Sequence, residues 1–250
     1  MTEVPPIVLQ GAAALGLDPG GLRSLGGQAG SSWAAGAAVL RVGFTAVLDA
    51  ELAAAGAAAA VLPVPQVLDR ADFADRSALL LERLPGRTAA ELAVTSPALA
   101  RAAGQACGQV HEVLAGVPAP AGLRTVPGAP SPATPGPARV LHLDLHPLNV
   151  LVDDDGAVTG VLDWANTAAG DPVLDRARTW AILSLDPIAQ AARALPGWPA
   201  FTEGWYETGR LDDIPAAARA WACRFMLADL ANRYPPAELA HVRRTLDQLA

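Results

Sequence analysis

The sequence predicts an α+β chain of two lobes, a small mixed sheet-and-helix lobe over residues 1–84 and a mostly α-helical lobe over residues 85–250. Three observations carry this. Short β-prone runs, punctuated by glycine, proline and serine, crowd residues 20–84. From Ala89 onward, long stretches run without breakers or repeat their apolar residues at helical spacing. Between those helical stretches lies one polar segment, "HLDLHPLNVLVDDDGAVTGVLDWAN", that reads as a hairpin.

The elements follow in order. "LRSLGGQAGSSWAAGAAVLRVG" reads as strand, flexible turn and strand, with "AAVLRV" in the second strand. "FTAVLDAELAAAG" spaces Val47, Leu48 and Leu52 for a helix that stops at Gly56. "PVPQVLD" and "SALLLERL" are two further strands. Ala89 to Leu114 is helical in composition. Val117 to Ala138 holds seven of the 22 prolines. Each proline removes a donor and fixes φ, so this stretch is a mobile surface connection rather than a helix or central strand. "VLHL" and "NVLV" are short strands, "DDDG" a solvated turn and "AVTGVLD" the return strand. In "GDPVLDRARTWAIL", Asp171 is a natural N-cap, Pro172 suits the first helical position, and Val173, Leu174, Ala177 and Trp180 share a face. Two amphipathic helical segments, "IPAAARAWACRFMLADLANRY" and "PPAELAHVRRTLDQLA", complete the chain.

Composition narrows the function. Apolar residues make up 52% and charged residues 17%, which marks a globular chain. All 18 basic residues are arginine. A net charge of −7 argues against a general nucleic-acid binder, which needs a basic face. Residues 126–250 carry 15 acids against 10 arginines; this serves solubility or an acidic cleft for a cationic ligand. Cys107 and Cys223 stand apart without CxxC pairing and read as reduced thiols. "MTEVPPIVLQ" has no secretory pattern, and the longest apolar run, Leu52 to Leu62, falls well short of the ~20 residues of a bilayer span. The expectation is a soluble, cytoplasmic protein with neither membrane nor nucleic acid as a partner.

"HLDLHPLN" supports two chemistries. On a strand, His142, Asp144 and His146 would alternate onto one face, as a zinc hydrolase requires, although His111 and His241 add no ligand-like cluster. Alternatively, Asp144 and Asn149 bracket a loop, and Asp163 ends the return strand beside it. Phosphoryl transfer uses such a set: one carboxylate takes the proton of an attacking hydroxyl, while an amide and a second carboxylate hold Mg²⁺ on nucleotide phosphates.

"HLDLHPLNVLVDDDGAVTGVLDWAN…GDPVLDRA" resembles the aminoglycoside phosphotransferase and choline kinase-like family, which shares the protein-kinase fold. The likeness lies in an H-x-D-x-x-x-x-N loop and a later aspartate in "VLDW", and covers most of residues 20–185. It implies a two-lobed kinase-like fold and an ATP- or GTP-dependent transfer to a small-molecule hydroxyl, with Mg²⁺. The acceptor would be an aminoglycoside-like or other amino alcohol or sugar, and the family's link to antibiotic resistance comes with it. By this resemblance Asp144 is the base, Asn149 and Asp163 hold the metal, and His142 braces the loop. Gly26, Gly27 and Gly30 cover the phosphates, and Arg41, paired with Glu51, contacts them. Backbone groups of Glu82, Arg83 and Leu84 meet the base edge, His146 orients the loop, and Asp175 stabilises the helical lobe. The chain departs from the family pattern where Arg41 replaces lysine, where Leu143 replaces glycine, and where the proline-rich connection is short. Those departures keep a second reading open, a nucleotide-binding pseudokinase or regulatory module.

Overall fold

A computed structural model describes residues 3–25, 32–131 and 136–249. The chain begins with α1 (Pro6–Ala14), a helix the sequence reading passes over because its alanine-rich run shows little contrast between faces. β1 (Leu22–Ser24), β2 (Ser32–Ala35) and β3 (Ala38–Phe44) follow, then α2 (Thr45–Ala58), β4 (Val67–Phe73) and β5 (Arg76–Glu82). The strands pair antiparallel in the order β1-β2-β3-β5-β4. α1 covers one face of this sheet, where Val8 and Ala12 pack with Trp33, Leu40, Val42 and Ala78. Strand residues alternate faces, so burying Leu40 and Val42 against α1 sends Arg41 to the other side. α2 lies on that side and runs two residues beyond the expected stop at Gly56. Its Leu48 is buried beneath the sheet, whereas Ala54 and Ala58 join the core of the helical lobe.

β6 (Arg87–Thr88) begins the second lobe, and the connection from β5 spans the 84/85 boundary. The single helix expected from Ala89 to Leu114 is divided into α3 (Ala89–Thr95) and α4 (Pro97–Ala115). Proline disfavours the α region for its predecessor, and Ser96 accordingly sits at φ −135 and ψ 66. Then come β7 (Arg139–Leu141), β8 (Val150–Val152), β9 (Val158–Val161), β10 (Ala168–Gly170) and α5 (Pro172–Leu185). The chain ends with α6 (Pro187–Ala192), α7 (Trp198–Gly209), α8 (Ala216–Leu230) and α9 (Ala240–Leu249). β8 and β9 form the expected hairpin, extended by β6, while β7 pairs with β10. Asp171 caps α5 through the Val173 N–H, with Pro172 in its first turn.

The proline-rich connection differs from its expectation. Where described, it is fastened to the helical lobe: Val117 and Val126 are buried, Arg124 donates to the Asn166 and Thr167 carbonyls, and Trp221 Nε1 donates to Pro127 O. The fastening runs both ways, with Arg124 of the segment donating outward and Trp221 donating inward to a proline carbonyl, a compensation no local pattern announces. Trp205 is fully buried, its ring 5.6 Å from that of Phe201 one turn earlier on α7 and 6.4 Å from that of His111 on α4. Cys107 and Cys223 are buried and free. No helix of the described residues is long and apolar enough to cross a membrane.

α4 and α7 cross at glycines. A Cβ on Gly104 would fall 2.0 Å from Phe201 O, and one on Gly204 2.2 Å from Arg101 O. Both obstacles are backbone and cannot rotate aside. Alanine favours a helix by about 1 kcal/mol over glycine, but overpacking costs up to about 3 kcal/mol or more. Gly104→Ala is therefore expected to destabilise the protein by about 2 kcal/mol in denaturant unfolding; a rise in stability would show that the crossing is loose.

Candidate active site

Residues His142 to Asn149 connect β7 to β8 at the mouth between the lobes. The strand alternation expected to align His142, Asp144 and His146 ends at Leu141, because Leu143 adopts φ 61. His142 is fully buried, while Asp144 and His146 are partly exposed. The His142 Nδ1 accepts the Asp144 N–H at 3.3 Å, which puts the ring proton on Nε2, 2.9 Å from Leu162 O. Neither nitrogen retains a lone pair for a metal. Among the described residues no group of three His, Cys, Asp or Glu side chains could hold an ion. The zinc-hydrolase reading is thereby overturned: a left-handed leucine, invisible to a strand-based argument, breaks the shared face.

What the loop builds instead is a chain of hydrogen bonds linking positions 144, 149 and 163. Asn149 Nδ2 donates to Asp144 O at 2.9 Å, and the Leu162 N–H, next to Asp163, donates to Asn149 O at 2.8 Å. His142 adds the second strut to Leu162, its ring 4.8 Å from that of Trp164. His146 receives the Leu148 N–H on Nδ1 at 3.3 Å, and its Nε2 lies 3.1 Å from Asn149 Nδ2 and 3.8 Å from Asp144 Oδ2. Burial lowers the His146 pKa; repulsion from His142 adds to this, and the Asp144 charge opposes it. A neutral ring has one bare nitrogen, so it accepts from either the Leu148 N–H or Asn149 Nδ2 and not from both.

The opposite wall comes from the sheet. Arg41 donates to Glu51 through Nε at 2.8 Å and Nη2 at 2.9 Å, and Nη2 also meets Asp163 Oδ1 at 3.0 Å. This is a bidentate fork on one carboxylate and a bridge to another, a geometry lysine cannot form. Burial pushes the Glu51 pKa up and Asp163 adds to that, while Arg41 pulls it back without cancelling the rise. For Arg41, burial works downward, but Glu51 and Asp163 outweigh it and raise the guanidinium. Asp163 itself sits at φ 59, so its side chain turns out of the β9 direction toward the cleft.

At the back of the cleft, the Glu82 N–H is engaged by Gln66 O, and Arg83 and Leu84 continue outside regular structure. Thr159 Oγ1 donates to Pro85 O at 2.8 Å, and Gly86 takes φ 105 where a Cβ would strike Val152 O at 2.6 Å. The segment joining the lobes is thus clamped to the β8–β9 hairpin. Gly26, Gly27 and Gly30 lie outside the described residues.

α5 supports the loop through polar residues that the sequence reading missed or undervalued. Asp175 Oδ1 accepts the Leu143 N–H at 2.6 Å, Arg178 Nε donates to Leu143 O at 3.2 Å, and Thr179 Oγ1 donates to Leu145 O at 2.7 Å. All three are buried. The available signal was their spacing: three polar residues at i, i+3 and i+4 inside an apolar helix face have to satisfy something. His111, on α4, is buried with Nδ1 3.5 Å from Asp175 Oδ2.

Leu143 sets strain against burial. Its left-handed backbone costs about 1–2 kcal/mol, whereas truncating a buried leucine costs about 2–5 kcal/mol. The side chain is 1% exposed, so burial prevails. Leu143→Gly, although it relaxes the backbone, is expected to lose about 1–3 kcal/mol and to lower Tm. A higher Tm would mean that strain dominates.

Comparison with known proteins agrees with this architecture. The family model for the phosphotransferase enzyme family matches residues 32–128 and 123–208. Over 41 residues the chain is 46% identical to the uncharacterized protein YcbJ of Bacillus subtilis (strain 168), covering 16% of this chain and 13% of that relative's length. Among solved structures, the gentamicin–APH(2")-IIa complex superposes with a TM-score of 0.61 at 11% identity, over 99% of this chain and 97% of the other. A thermostable mutant of aminoglycoside phosphotransferase APH(4)-Ia, in ternary complex with AMP-PNP and hygromycin B, gives 0.57 at 18% identity, over 91% and 92%. Matched through both lobes, the chain belongs to the phosphotransferase enzyme family and has the protein-kinase-like fold of these neighbours.

Proposed function

We propose that the chain transfers the γ-phosphoryl group of ATP or GTP to a hydroxyl of an aminoglycoside-like compound or another amino alcohol or amino sugar. One observation carries the reading: Arg41 of the sheet, Glu51 of α2 and Asp163 of the β9 turn meet within 3.0 Å, beside a loop in which Asn149 is bonded to Asp144. In this reading Asp144 accepts the proton of the attacking hydroxyl. Arg41, braced by Glu51, grips the α- and β-phosphates. Backbone groups of Glu82, Arg83 and Leu84 receive the base edge, while His142 holds the loop to the Asp163 turn. The transition state of phosphoryl transfer is loose, so positioning and electrostatics supply most of the acceleration.

The donor set fits Mg²⁺. With Asn149 Nδ2 spent on Asp144 O, the amide oxygen is the atom it would offer a cation, and Asp163 would offer its hard carboxylate oxygens, one of which Arg41 Nη2 meets at 3.0 Å. When bound, the ion neutralises charge on the transferring phosphates. Two protein ligands leave the remaining positions to the nucleotide and water. The excess of 15 acids over 10 arginines in residues 126–250 suits a cationic acceptor, and the net charge of −7 argues against nucleic acid as a partner. Buried free thiols and a nucleotide co-substrate fit a cytoplasmic location.

A second reading, a nucleotide-binding module without transferase activity, is favoured by the engagement of Arg41 with both Glu51 and Asp163. Incubation with γ-labelled ATP or GTP, Mg²⁺ and a panel of amino sugars, amino alcohols and macrolides separates the two. The expected result is label on at least one acceptor. Nucleotide binding by thermal shift, with neither transfer nor hydrolysis, would select the binding module.

A further inference from the structure

On α4, α5 and α7 the chain forms a partly open pocket of about 120 Å³ whose walls include His111, Glu112, Arg176, Thr208 and Arg210. That is room for several waters at ~30 Å³ each, and too little for a nucleotide. Two features of its walls lack an internal explanation. The first is His111: it is 4% exposed, and neither ring nitrogen completes a hydrogen bond among the described residues, since Nδ1 only approaches Asp175 Oδ2 at 3.5 Å. A buried polar side chain in that state implies an absent partner. The second is Arg176, half-buried and without an ion pair or hydrogen bond among the described residues.

No acid among the described residues pairs with that cation at contact distance. Burial and then the charge of Arg210 push the Arg176 pKa down, against the pull of Asp171, Asp213 and Glu112. Each of those acids has other engagement or exposure. Asp171 caps α5 through the Val173 N–H, Asp213 holds Arg210 Nε at 3.1 Å, and Glu112 is exposed. Thr208 spends its hydroxyl proton on Gln105 O, so it offers the cavity no donor. The space is faced by the Arg176 guanidinium, by Arg210, which gives Asp213 its Nε and keeps its terminal nitrogens, and by His111, whose Nε2 has no partner among the described residues, with the exposed Glu112 carboxylate alongside. The three nitrogen groups are donors matched to an oxyanion.

We propose that this cavity binds a free, phosphate-sized oxyanion, held by Arg176 and Arg210 from two helix ends and by the His111 imidazole from beneath. The site is separate from the cleft that holds Asp144 and does not rest on the transfer reaction. It abuts the catalytic loop's support, because Asp175, next to His111, holds the Leu143 N–H with its other oxygen.

The chain has four histidines, so side-chain ¹H–¹⁵N spectra resolve His111 as an internal probe. The protein, saturated with Mg-ADP to occupy the cleft, is titrated with sodium phosphate and, in parallel, with sodium chloride at matched ionic strength. The expected result is a saturable shift of the His111 signals with phosphate and none with chloride, and a dissociation constant at least tenfold weaker in Arg176→Gln. Should that variant not fold, Arg210→Gln, at an exposed side chain, has to weaken binding likewise. His111 signals unmoved by phosphate, moved equally by chloride, or an affinity unchanged by the substitution would overturn the site.

Discussion

Asp144→Asn is expected to lower kcat by about 10²–10⁴, the usual worth of a positioned general base, while leaving the KM for nucleotide near its parental value. The reason is which atoms the rest of the loop uses. Asn149 binds the backbone oxygen of Asp144, and His142 binds its backbone N–H; neither touches the carboxylate. The nearest side-chain partner, His146 Nε2, is 3.8 Å away. An isosteric amide therefore keeps the loop and the Arg41–Glu51–Asp163 cluster intact and removes the proton acceptor alone. Steady-state kinetics and a melting curve on the same preparation check both halves. Turnover at the parental rate would remove Asp144 from the chemistry, and a large fall in Tm would mean that the kinetic loss is structural.

The sequence made that residue legible, and the limits of legibility have physical causes. The strands around Arg41 and the cap at Asp171 follow from local rules, alternation and a side-chain oxygen before a proline, and both appear as expected. The pairing of Arg41 with Glu51 spans 10 residues, short enough for a strand-turn-helix argument. The split between α3 and α4 was also a local event, written in Ser96-Pro97, but it was masked by the alanine-rich composition on either side. Other features depend on contacts across the fold. Leu143 is left-handed because Asp175 and Arg178, 32 and 35 residues later, hold its N–H and C=O. No window around "HLDLH" contains that information, which is why a strand-based alignment of His142, Asp144 and His146 failed. The fastening of the proline-rich connection by Arg124 and Trp221 is distant in the same sense.

Asp175 is where this long-range support concentrates, and Asp175→Ala is expected to cost about 3–5 kcal/mol, the range for removing one member of a buried charged or hydrogen-bonded pair. The Leu143 N–H, 2.6 Å from Oδ1, loses its acceptor, and His111 loses the carboxylate charge that Oδ2 brings to 3.5 Å from its Nδ1 without a completed hydrogen bond. The loop carbonyls would still be held by Arg178 and Thr179, so the variant should fold at low temperature with Leu143 released from φ 61 and Asp144 displaced with it. Asp175→Asn, which keeps an acceptor for Leu143, should lose less. The pH dependence distinguishes this from generic damage. Burial works to raise the Asp175 pKa, but His111, His142 and the Leu143 N–H outweigh it and hold the carboxyl below its usual value. A depressed carboxyl stabilises the fold above the unfolded pKa of about 3.9 and loses that contribution as pH falls through the folded value. Urea unfolding should therefore show the full gap between wild type and Asp175→Ala at neutral pH and a narrowing gap below about pH 4. A gap that stays constant on acidification would mean that Asp175 contributes by filling space rather than by its charge.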